Sequence, residues 1–585
     1  MKGFLFPAQL FWGILDCIEN NVMKYIFFLI GIFLTFNSHS QKQEWIKTIG
    51  GANFESPSEI IVDSVGNTFI LVEFYGTIDA DPDGSGILLT AEGENQNTCL
   101  IKLTSNGNFE WAKGFLGHGI VSAGGLSMDT QGDITVAINF TENLVFQDIS
   151  GTSEWQTMGT MDFGLVHMSS SGGTYWSLHY SGTENFFSSH LASNSNNDLL
   201  ITGGFSGTTK FDLNNPNNEV TSNGEEDSFL LKLNQSGSYI WSIAFGSILS
   251  DFLEQIVVDS NNNIFAIGYF EGEINFDPSS GIDSLITSNK DIFFVKINNT
   301  GTLLFAKSFI GSSSTNHILD AEIDHENFLL LSGSFSEIMD FDPSPTNFEV
   351  NAENIDAFII KLDNNGSFEW IYTFYSTNTT LPNEVWSLAV DSQNNIYSTG
   401  KFLDTVDFNS SPTEEFLLTS SGEKDIFLLK LEPNGNFTHA SKIGGAARDV
   451  GTSIFVNQQD YVFLSGTFRE SADLQFGNEV TNFTSLGVTD CFITKFPSTI
   501  LSGGNFSLNN VIIYPTPVEN YIFINLGKLK DNVKVTIYDS LSRIVFVDGF
   551  TKTSEIIINP NLQTGIYLIE IISNQENFLK KIVKN

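Results

Sequence analysis

The middle of the chain repeats itself about every 65 residues. Each copy opens with a ring-bearing residue in a short apolar strand, as in EWIKTIGG around Trp45 and EWAKGFLG around Trp111. The seven positions are Trp45, Trp111, Trp176, Trp241, Phe305, Trp370 and His439. A tandem repeat constrains the fold more than any single motif, because each copy must bury its apolar face against its neighbours.

Each copy contains four short strands separated by turn signals. The aromatic strand is followed by a strand that ends in Asp and a polar turn, as in IVVDSNNN at Asp259, and then by a strand that often ends in Gly-x-Phe. The last strand reads Asp-x-Phe-apolar-apolar-Lys, as in DIFFVKI at Asp291, although the second copy has His167 in place of the lysine. Helical periodicity is almost absent. A four-stranded sheet cannot bury both faces alone, whereas a radial arrangement of such sheets can.

The repeats therefore predict an all-β chain with a seven-bladed β-propeller over residues 44–498, followed by a small antiparallel β-sandwich. The array begins with an aromatic strand, Glu44–Gly50, and ends with Asp490–Phe496, so we expect the first strand to complete the seventh blade. The landmarks resemble the β-propeller repeat of bacterial secreted proteins over about three quarters of the chain. The copies are expected near residues 44–109, 110–174, 175–239, 240–303, 304–368, 369–437 and 438–498.

The amino terminus has the pattern of an export signal. Tyr25–Phe36 is a twelve-residue apolar run that follows a lysine and precedes small polar residues. Twelve residues span about 18 Å as a helix, less than the ~30 Å of a bilayer core, so no stable transmembrane segment is expected. We interpret residues 23–40 as a signal peptide and 1–22 as an over-extended start or leader. The alternative is an uncleaved anchor that begins near Phe4.

Charge and composition exclude several classes of protein. The chain has 27 Lys and Arg against 68 Asp and Glu, a net charge of -41, which repels nucleic acid and anionic membrane surfaces. Aromatic residues make up 13%, too many for a disordered acidic chain. Outside the leader only Cys99 and Cys491 remain, which is not a disulfide framework. We expect two buried free thiols, and a disulfide only if the ends of the array meet.

The pattern changes after the repeats. Residues 499–510 form a predicted linker, and 511–585 alternate apolar and polar residues as a small β-sandwich does. This tail closely resembles the type A sorting domain of the type IX secretion system of Bacteroidetes. Thr516 departs from the usual Asn of that family, and Ser542 from the usual Gly. The residues that carry the resemblance are Tyr514, Pro515, Pro517, Gly565, Tyr567 and Lys581.

The resemblance implies a route and a destination. The signal would take the chain across the inner membrane, and the type IX machinery would recognise the tail and move the protein across the outer membrane. The protein is then expected to be extracellular or on the outer-membrane cell surface. In this family the tail is commonly cleaved, and the cargo is attached to surface lipopolysaccharide or released. The alternative is a plain adhesive β-domain.

One segment suits a metal ion. Asp79, Asp81 and Asp83 alternate before a glycine, as oxygen ligands do in a Ca²⁺ loop. The twelfth position is Thr90 rather than the bidentate Glu of such loops, and related Asp-containing sequences recur in other copies. Both a structural Asp-Pro turn and a Ca²⁺ site therefore remain open, and no other cofactor is expected.

Two further charged positions recur. We expect each aspartate before the Phe to bond a neighbouring turn rather than to form an acidic ring. The repeated lysine is expected to point to solvent or to pair with acids between blades. The aspartates are Asp162, Asp227, Asp291, Asp356, Asp425 and Asp490, and the lysines are Lys102, Lys232, Lys296, Lys361, Lys430 and Lys495.

Catalytic motifs are lacking. The histidines are scattered, and neither a His-Glu-x-x-His metal motif, a Gly-x-Ser-x-Gly elbow nor a phosphate loop is present. The sequence favours a non-catalytic binding or adhesion platform for an extracellular glycan or protein. The alternative is an extracellular hydrolase or lyase that acts on polysaccharide at one propeller face. Carboxylates and aromatics in a central pocket would favour the enzyme, and a pocket of backbone and small polar groups would favour binding.

Overall fold

A computed structural model describes residues 43–584 except 85, 216, 277–283, 376–381, 411–414, 477–479, 502–511, 515–520, 531, 540–542 and 574–575. The expected leader (1–22) and signal peptide (23–40) lie outside the described residues, as do Pro515 and Pro517. In the described part, strands form all the regular structure apart from one 3₁₀ turn, Ser498–Leu501. None of the helical structure in that part is long and apolar enough to cross a bilayer.

The first half of the repeat region contains 25 strands. They are β1 (Trp45–Gly51), β2 (Glu55–Val62), β3 (Thr68–Tyr75), β4 (Thr77–Asp79), β5 (Leu88–Thr90), β6 (Gln96–Leu103), β7 (Phe109–Leu116), β8 (Val121–Met128), β9 (Ile134–Phe140), β10 (Asn143–Asp148), β11 (Gly151–Gln156), β12 (Asp162–Met168), β13 (Thr174–Tyr180), β14 (Phe186–Ser193), β15 (Leu199–Phe205), β16 (Thr208–Lys210), β17 (Glu219–Thr221), β18 (Asp227–Leu233), β19 (Tyr239–Phe245), β20 (Phe252–Val258), β21 (Ile264–Phe270), β22 (Glu273–Asn275), β23 (Ser284–Ile286), β24 (Asp291–Ile297) and β25 (Leu303–Gly311).

The remaining strands complete the repeats and form the tail. The repeats continue with β26 (His317–Ile323), β27 (Leu329–Asp340), β28 (Glu349–Leu362), β29 (Phe368–Phe374), β30 (Glu384–Val390), β31 (Ile396–Phe402), β32 (Thr405–Asp407), β33 (Leu417–Thr419), β34 (Asp425–Leu431), β35 (Phe437–Gly445), β36 (Val450–Val456), β37 (Tyr461–Phe468), β38 (Ser471–Asp473), β39 (Asn482–Thr484) and β40 (Asp490–Pro497). The tail contains β41 (Ile512–Tyr514), β42 (Ile522–Lys530), β43 (Val533–Tyr538), β44 (Ile544–Phe550), β45 (Thr553–Ile558), β46 (Gly565–Ser573) and β47 (Glu576–Lys584).

The repeat strands form a seven-bladed β-propeller, as predicted. Within the described residues they pair as seven antiparallel four-stranded sheets. From the innermost strand outwards these blades are β2-β3-β6-β7, β8-β9-β12-β13, β14-β15-β18-β19, β20-β21-β24-β25, β26-β27-β28-β29, β30-β31-β34-β35 and β36-β37-β40-β1. Each innermost strand contacts the next one along the chain, and β36 contacts β2, so the ring is closed.

The first and last strands of the ring belong to the same blade. β1 pairs with β40 in antiparallel register, with Trp45 opposite Lys495 and Ile49 opposite Cys491. Ile49 is buried in an apolar cluster that also contains Cys99 and Cys491. Both thiols are buried and free, as predicted, although the two ends of the array meet here. Burial raises the pKa of the Cys99 thiol far above its usual range, which keeps it protonated.

The antiparallel order gives the ring two different ends. Connections between the first and second strands of every blade, and between the third and fourth strands of the first six blades, lie at one end, which we call the turn face. Connections between the second and third strands and from one blade to the next lie at the opposite end, which we call the loop face. An additional short hairpin follows the second strand in most blades, for example β4–β5 in the first. The sequence did not predict these hairpins.

Neighbouring turns on the turn face are linked by asparagines. Asn197 and Asn262 have φ angles of 62° and 61°, in the left-handed region that asparagine tolerates. The Asn197 Oδ1 accepts the N–H of Thr130 in the preceding blade at 3.0 Å, and Asn262 does the same for Ser195 at 3.0 Å. The asparagines that favour these tight turns thus also form hydrogen bonds between neighbouring blades.

The repeated aspartates cap turns within their own blades. Asp227 accepts the N–H of Asn223 at 2.9 Å, and Asp425 accepts the N–H of Ser421 at 2.8 Å. The other such contacts are Asp162 to Met158 at 3.0 Å and Asp490 to Leu486 at 2.9 Å. For these four aspartates the bonds confirm the prediction that the carboxylate holds a neighbouring turn.

The repeated lysines are buried, and their expected exposure to solvent is wrong. Lys232 Nζ lies 2.9 Å from Asp198 in its own blade and donates to the carbonyl of Asn299 in the next blade at 3.1 Å. Lys361 contacts Asp324 at 2.7 Å and the Pro433 carbonyl of the next blade at 3.2 Å. The paired acid therefore lies in the same blade, and the link between blades goes to a backbone carbonyl. A long side chain that crosses the gap can satisfy both partners away from water.

Replacing Lys232 with methionine should lower the free energy of unfolding by about 3 kcal/mol, because Asp198 would keep a largely buried charge without its partner. Urea unfolding measures the change. The matched control is Lys210→Met in the same blade, where an exposed pair with Glu219 at 3.2 Å contributes little, about 0.5 kcal/mol or less. Equal effects of the two substitutions would contradict a bridging role for Lys232.

The tail is a separate β-sandwich. One sheet has the order β41-β42-β45 and the other β44-β43-β46-β47. Their facing sides form an aliphatic core that includes Ile524, Val535 and Ile569. Among the residues that the structure describes, the members of this core all belong to the tail, which thus has an apolar core of its own.

Candidate functional site

A channel runs through the centre of the ring and is lined by the innermost strands of the blades. Its cavity measures about 650 Å³. Every innermost strand has a β-bulge at the same height, which re-aims the residue that follows it. The residues after the bulges are Glu59, Gly125, His190, Gln255, Asp320, Ser387 and Ser453.

Most of these bulge residues bond the next blade. Glu59 Oε2 accepts the N–H of Leu126 at 2.9 Å, and Asp320 Oδ2 accepts the N–H of Leu388 at 2.7 Å. The other links are Gln255 Nε2 to the Leu319 carbonyl at 2.9 Å, the Ile454 N–H to Ser387 Oγ at 3.2 Å and the Ile60 N–H to Ser453 Oγ at 3.3 Å. Polar side chains at the channel wall therefore hold the ring together.

Burial raises the pKa of the channel acids. Burial raises the pKa of Glu59 to about 8, with a smaller contribution from the Asp320 charge. Burial also raises the pKa of Glu322 to about 8 and that of Asp320 to about 6. His190 lies 3.7 Å from Glu59, and burial lowers its pKa to about 4. Near neutral pH the wall therefore presents the protonated carboxyls of Glu59 and Glu322, the largely ionised carboxylate of Asp320 and a neutral imidazole, which can exchange hydrogen bonds with a polar ligand.

The channel contains aromatic rings as well as carboxyl groups, since Trp386 and Phe455 also line it. It is therefore not a pocket of backbone and small polar groups alone. Glu59 and Asp320 each use one oxygen to bond the next blade, as described above. Glu322 accepts the N–H of its neighbour Ile323 at 3.1 Å. The channel thus contains carboxyl groups of the kind found in acid–base sites. Some of their oxygens already accept hydrogen bonds from the backbone of the propeller.

The loop face exposes large apolar side chains. Ile248 is 80% exposed, Met158 77% and Leu486 76%. Phe54 and Val488, from neighbouring blades, line an open pocket of about 470 Å³ with Tyr75. The motifs of the sequence did not predict this surface, although apolar residues within loops rich in Gly, Ser and Asn, such as GSILSD, were a readable signal.

The candidate Ca²⁺ loop closes a hairpin. Asp79 Oδ1 accepts the N–H groups of Asp81 and Ile87, both at 3.1 Å, and Asp81 Oδ1 accepts the N–H of Asp83 at 2.8 Å. Asp83 pairs with Lys47. These contacts support the structural-turn alternative, and Ca²⁺ binding stays a prediction.

The same hairpin occurs in other blades. Asp340 Oδ1 accepts the N–H of Phe348 at 2.8 Å, and Asp473 Oδ1 accepts that of Thr481 at 2.9 Å. The capping residue also lies opposite the outer strand of the preceding blade: Asp79 pairs with Gly50, Asp340 with Ile310 and Asp473 with Gly444. The hairpins thus join adjacent blades at their outer edges.

Three predicted sorting residues belong to one hairpin of the tail. Gly565 begins β46, and the Tyr567 hydroxyl donates to the Gln563 carbonyl at 2.9 Å. Lys581 lies in β47 opposite Leu568. Tyr514 ends β41 in the other sheet. The structure therefore places Gly565, Tyr567 and Lys581 together and leaves Tyr514 on a different sheet.

Comparison with curated proteins finds partial relatives. An uncharacterised WD repeat-containing protein of Acanthamoeba polyphaga mimivirus is 23% identical over 314 residues, which cover 49% of this chain and 20% of that protein. The regulatory protein FlaEY of Caulobacter vibrioides is 22% identical over 253 residues, which cover 43% of this chain and 25% of FlaEY. The matched part thus spans a quarter or less of these relatives.

A solved structure and a family model also match. A protein of unknown function from Bacteroides caccae aligns with a TM-score of 0.27 at 9% identity, over 59% of this chain and 89% of that chain. Residues 512–585 match the family model described as a secretion system C-terminal sorting domain. A sorting domain of this kind implies interaction with the secretion machinery. The chain thus carries a type IX C-terminal sorting domain, and the protein is exported to the extracellular space or the outer-membrane cell surface.

Proposed function

We propose that this protein is a non-catalytic binding or adhesion platform that holds an extracellular glycan or protein at its loop face. The observation that carries the proposal is the exposure of Met158, Ile248 and Leu486 there. Large apolar side chains left in water on one face are typical of interaction sites. The Bacteroidetes route implied by the tail would present this face outside the cell.

The difference between the two faces supports the proposal. The turns on the turn face repeat Asp, Asn and Gly, and they are occupied by links between blades. The connections between blades on the loop face differ from one another, as in GSILSD at 246–251 and SSSTN at 312–316. Variable loops held on a rigid scaffold are the usual location of binding residues.

The test is a glycan and protein array probed with the chain from residue 41 onwards, followed by titration of the strongest ligand. The Ile248→Ser, Leu486→Ser double variant should bind at least about tenfold more weakly, because removal of two buried apolar contacts costs on the order of 2 kcal/mol. The matched control is Val65→Ser on the turn face, where Val65 is 70% exposed. Unchanged binding by the double variant, or equal loss in the control, would contradict the proposal.

The channel acids favour a second candidate, an extracellular hydrolase or lyase that acts on polysaccharide. Glu59, Asp320 and Glu322 line one cavity, and the protonated carboxyls of Glu59 and Glu322 suit a general acid. Turnover of a polysaccharide that is lost in Glu322→Gln and kept in the loop-face double variant would select this candidate. Binding without turnover, lost in the loop-face variant alone, would select the platform.

A further inference from the structure

The second blade breaks the repeat at one buried position. In the other six blades the residue paired with the aromatic landmark of the outer strand is a lysine, as Lys232 is opposite Trp241. In the second blade His167 lies opposite Trp176 in the same register. The adjacent turn differs as well, because both of its side chains that face this position, Asp129 and Asp133, are carboxylates. Each other blade has at most one carboxylate at these two positions: Asp63 and Asn67, Asn194 and Asp198, Asp259 and Asn263, Asp324 and Phe328, Asp391 and Asn395, Asn457 and Tyr461.

In four other blades a cation occupies this place. The lysine ammonium contacts the carboxylate of the turn, as described above for Lys232 and Lys361. The four distances are 2.9 Å for Lys232 to Asp198, 3.2 Å for Lys296 to Asp259, 2.7 Å for Lys361 to Asp324 and 3.9 Å for Lys430 to Asp391. Among the residues that the structure describes, no lysine or arginine forms an ion pair with Asp129 or Asp133. The second blade therefore has one more negative charge and one less positive charge than the repeat provides.

The three side chains are arranged as a metal site. Asp129, Asp133 and His167 each offer a ligand atom, and these atoms lie within 4.8 Å of one another. It is the one such group of three among the described residues. Thr135 Oγ1 lies 2.9 Å from His167 Nδ1, and the ring stacks on Trp176 at a centroid distance of 5.0 Å. These contacts fix the imidazole and leave Nε2 for a metal, as partners of a ligating histidine do.

The surroundings provide room and a link to the next blade. Asp133 and His167 line an open cavity of about 560 Å³, which can hold the water molecules that complete a coordination shell. Gln235, from the turn of the third blade, donates to Asp129 Oδ2 at 3.1 Å. A cation bound to Asp129 would therefore lie in the position that the lysine ammonium occupies in other blades, as Lys232 does in the third.

We propose that Asp129, Asp133 and His167 bind one divalent transition-metal cation, for which Zn²⁺ fits best. One imidazole nitrogen with two carboxylate oxygens is a ligand set of Zn²⁺, whereas Ca²⁺ and Mg²⁺ prefer oxygen alone. Two carboxylates and a divalent cation are neutral together, as are one carboxylate and one lysine in the other blades. The metal thus takes the place of the lysine ammonium beside the turn, and Gln235 of the third blade donates to one of its ligands.

The test uses the untagged chain from residue 41 onwards, stripped of metal, with Zn²⁺ titrated by calorimetry and followed by thermal unfolding. We expect one tight equivalent of Zn²⁺ and a higher unfolding midpoint in Zn²⁺ but not in Mg²⁺ or Ca²⁺. Asp133→Asn should weaken binding at least about tenfold, because a neutral amide replaces a charged ligand.

The decisive variant is His167→Lys, which restores the residue of the other blades and should fold. It should lose the tight equivalent and the Zn²⁺ response, and its midpoint without metal should equal or exceed that of the parent. The matched control is His118→Ala, an exposed histidine at the loop face, which should bind as the parent does. Absence of a tight equivalent in the parent, or its persistence in His167→Lys, would overturn the proposal.

Discussion

Deletion of residues 44–51 should lower the midpoint of thermal unfolding by about 10 °C or more, or prevent folding. The deletion removes β1 and with it the fourth strand of the seventh blade, so that β40 becomes an open edge. It also removes the buried Ile49 and the Glu44 partner of Lys495, which lies at 2.8 Å. The loss of stability should be larger in a closed ring than in a linear array of repeats. In the ring, the seventh blade pairs the first strand of the array, β1, with the last, β40, and so holds the two ends together.

The control for this deletion is a circular permutant of residues 43–498. It connects the end of β40 to β1 through a copy of the turn Thr104–Asn108 and opens the chain between Ile149 and Ser150, at the exposed tip of the β10–β11 hairpin. We expect its midpoint to lie near that of the uncut fragment, since β1 is now covalently joined to its partner strand. An unchanged midpoint in the deletion variant would refute closure by β1.

Removal of residues 512–585 should abolish delivery to the cell surface. The sorting domain has its own core, so its loss leaves the propeller folded but without the element that the secretion machinery recognises. In a host with type IX machinery, protease added to intact cells should no longer reach the propeller, which should accumulate inside the cell envelope. Immunoblots of cells, envelope fractions and medium measure the distribution.

Two controls separate recognition from folding. Residues 512–585 fused to a reporter that carries a signal peptide should bring the reporter to the surface. The Val65→Ser variant, altered at an exposed turn of the propeller, should be delivered as the parent is. Surface delivery of the truncated chain at the level of the parent would show that the tail is not the sorting element.

Local chemistry explains why much of the fold could be predicted. The alternation of apolar residues and the Asp and Asn turns specify strands and reversals within a few residues, so four strands per repeat were readable. The capping by Asp227 and Asp425 was also predictable, because its partner lies four residues away. The motif Gly565-x-Tyr567 identified the tail for the same reason, since family patterns are contiguous in sequence.

Contacts between blades could not be read in the same way. Lys232 joins Asp198 to Asn299, residues 101 positions apart in the chain, and nothing in its own strand shows whether it faces solvent or the next blade. Glu59 and Asp320 belong to different repeats, and only the common height of the β-bulges brings them to one channel.

The sequence by itself determined the repeat unit, the all-β class, the sorting tail and the odd histidine of the second copy, because each depends on residues close together in the chain. The tertiary structure alone decided that His167 meets Asp129 and Asp133, and that exposed apolar side chains share the loop face. The physical reason is that strand pairing within a blade and closure of the ring, rather than local propensity, decide which distant residues become neighbours.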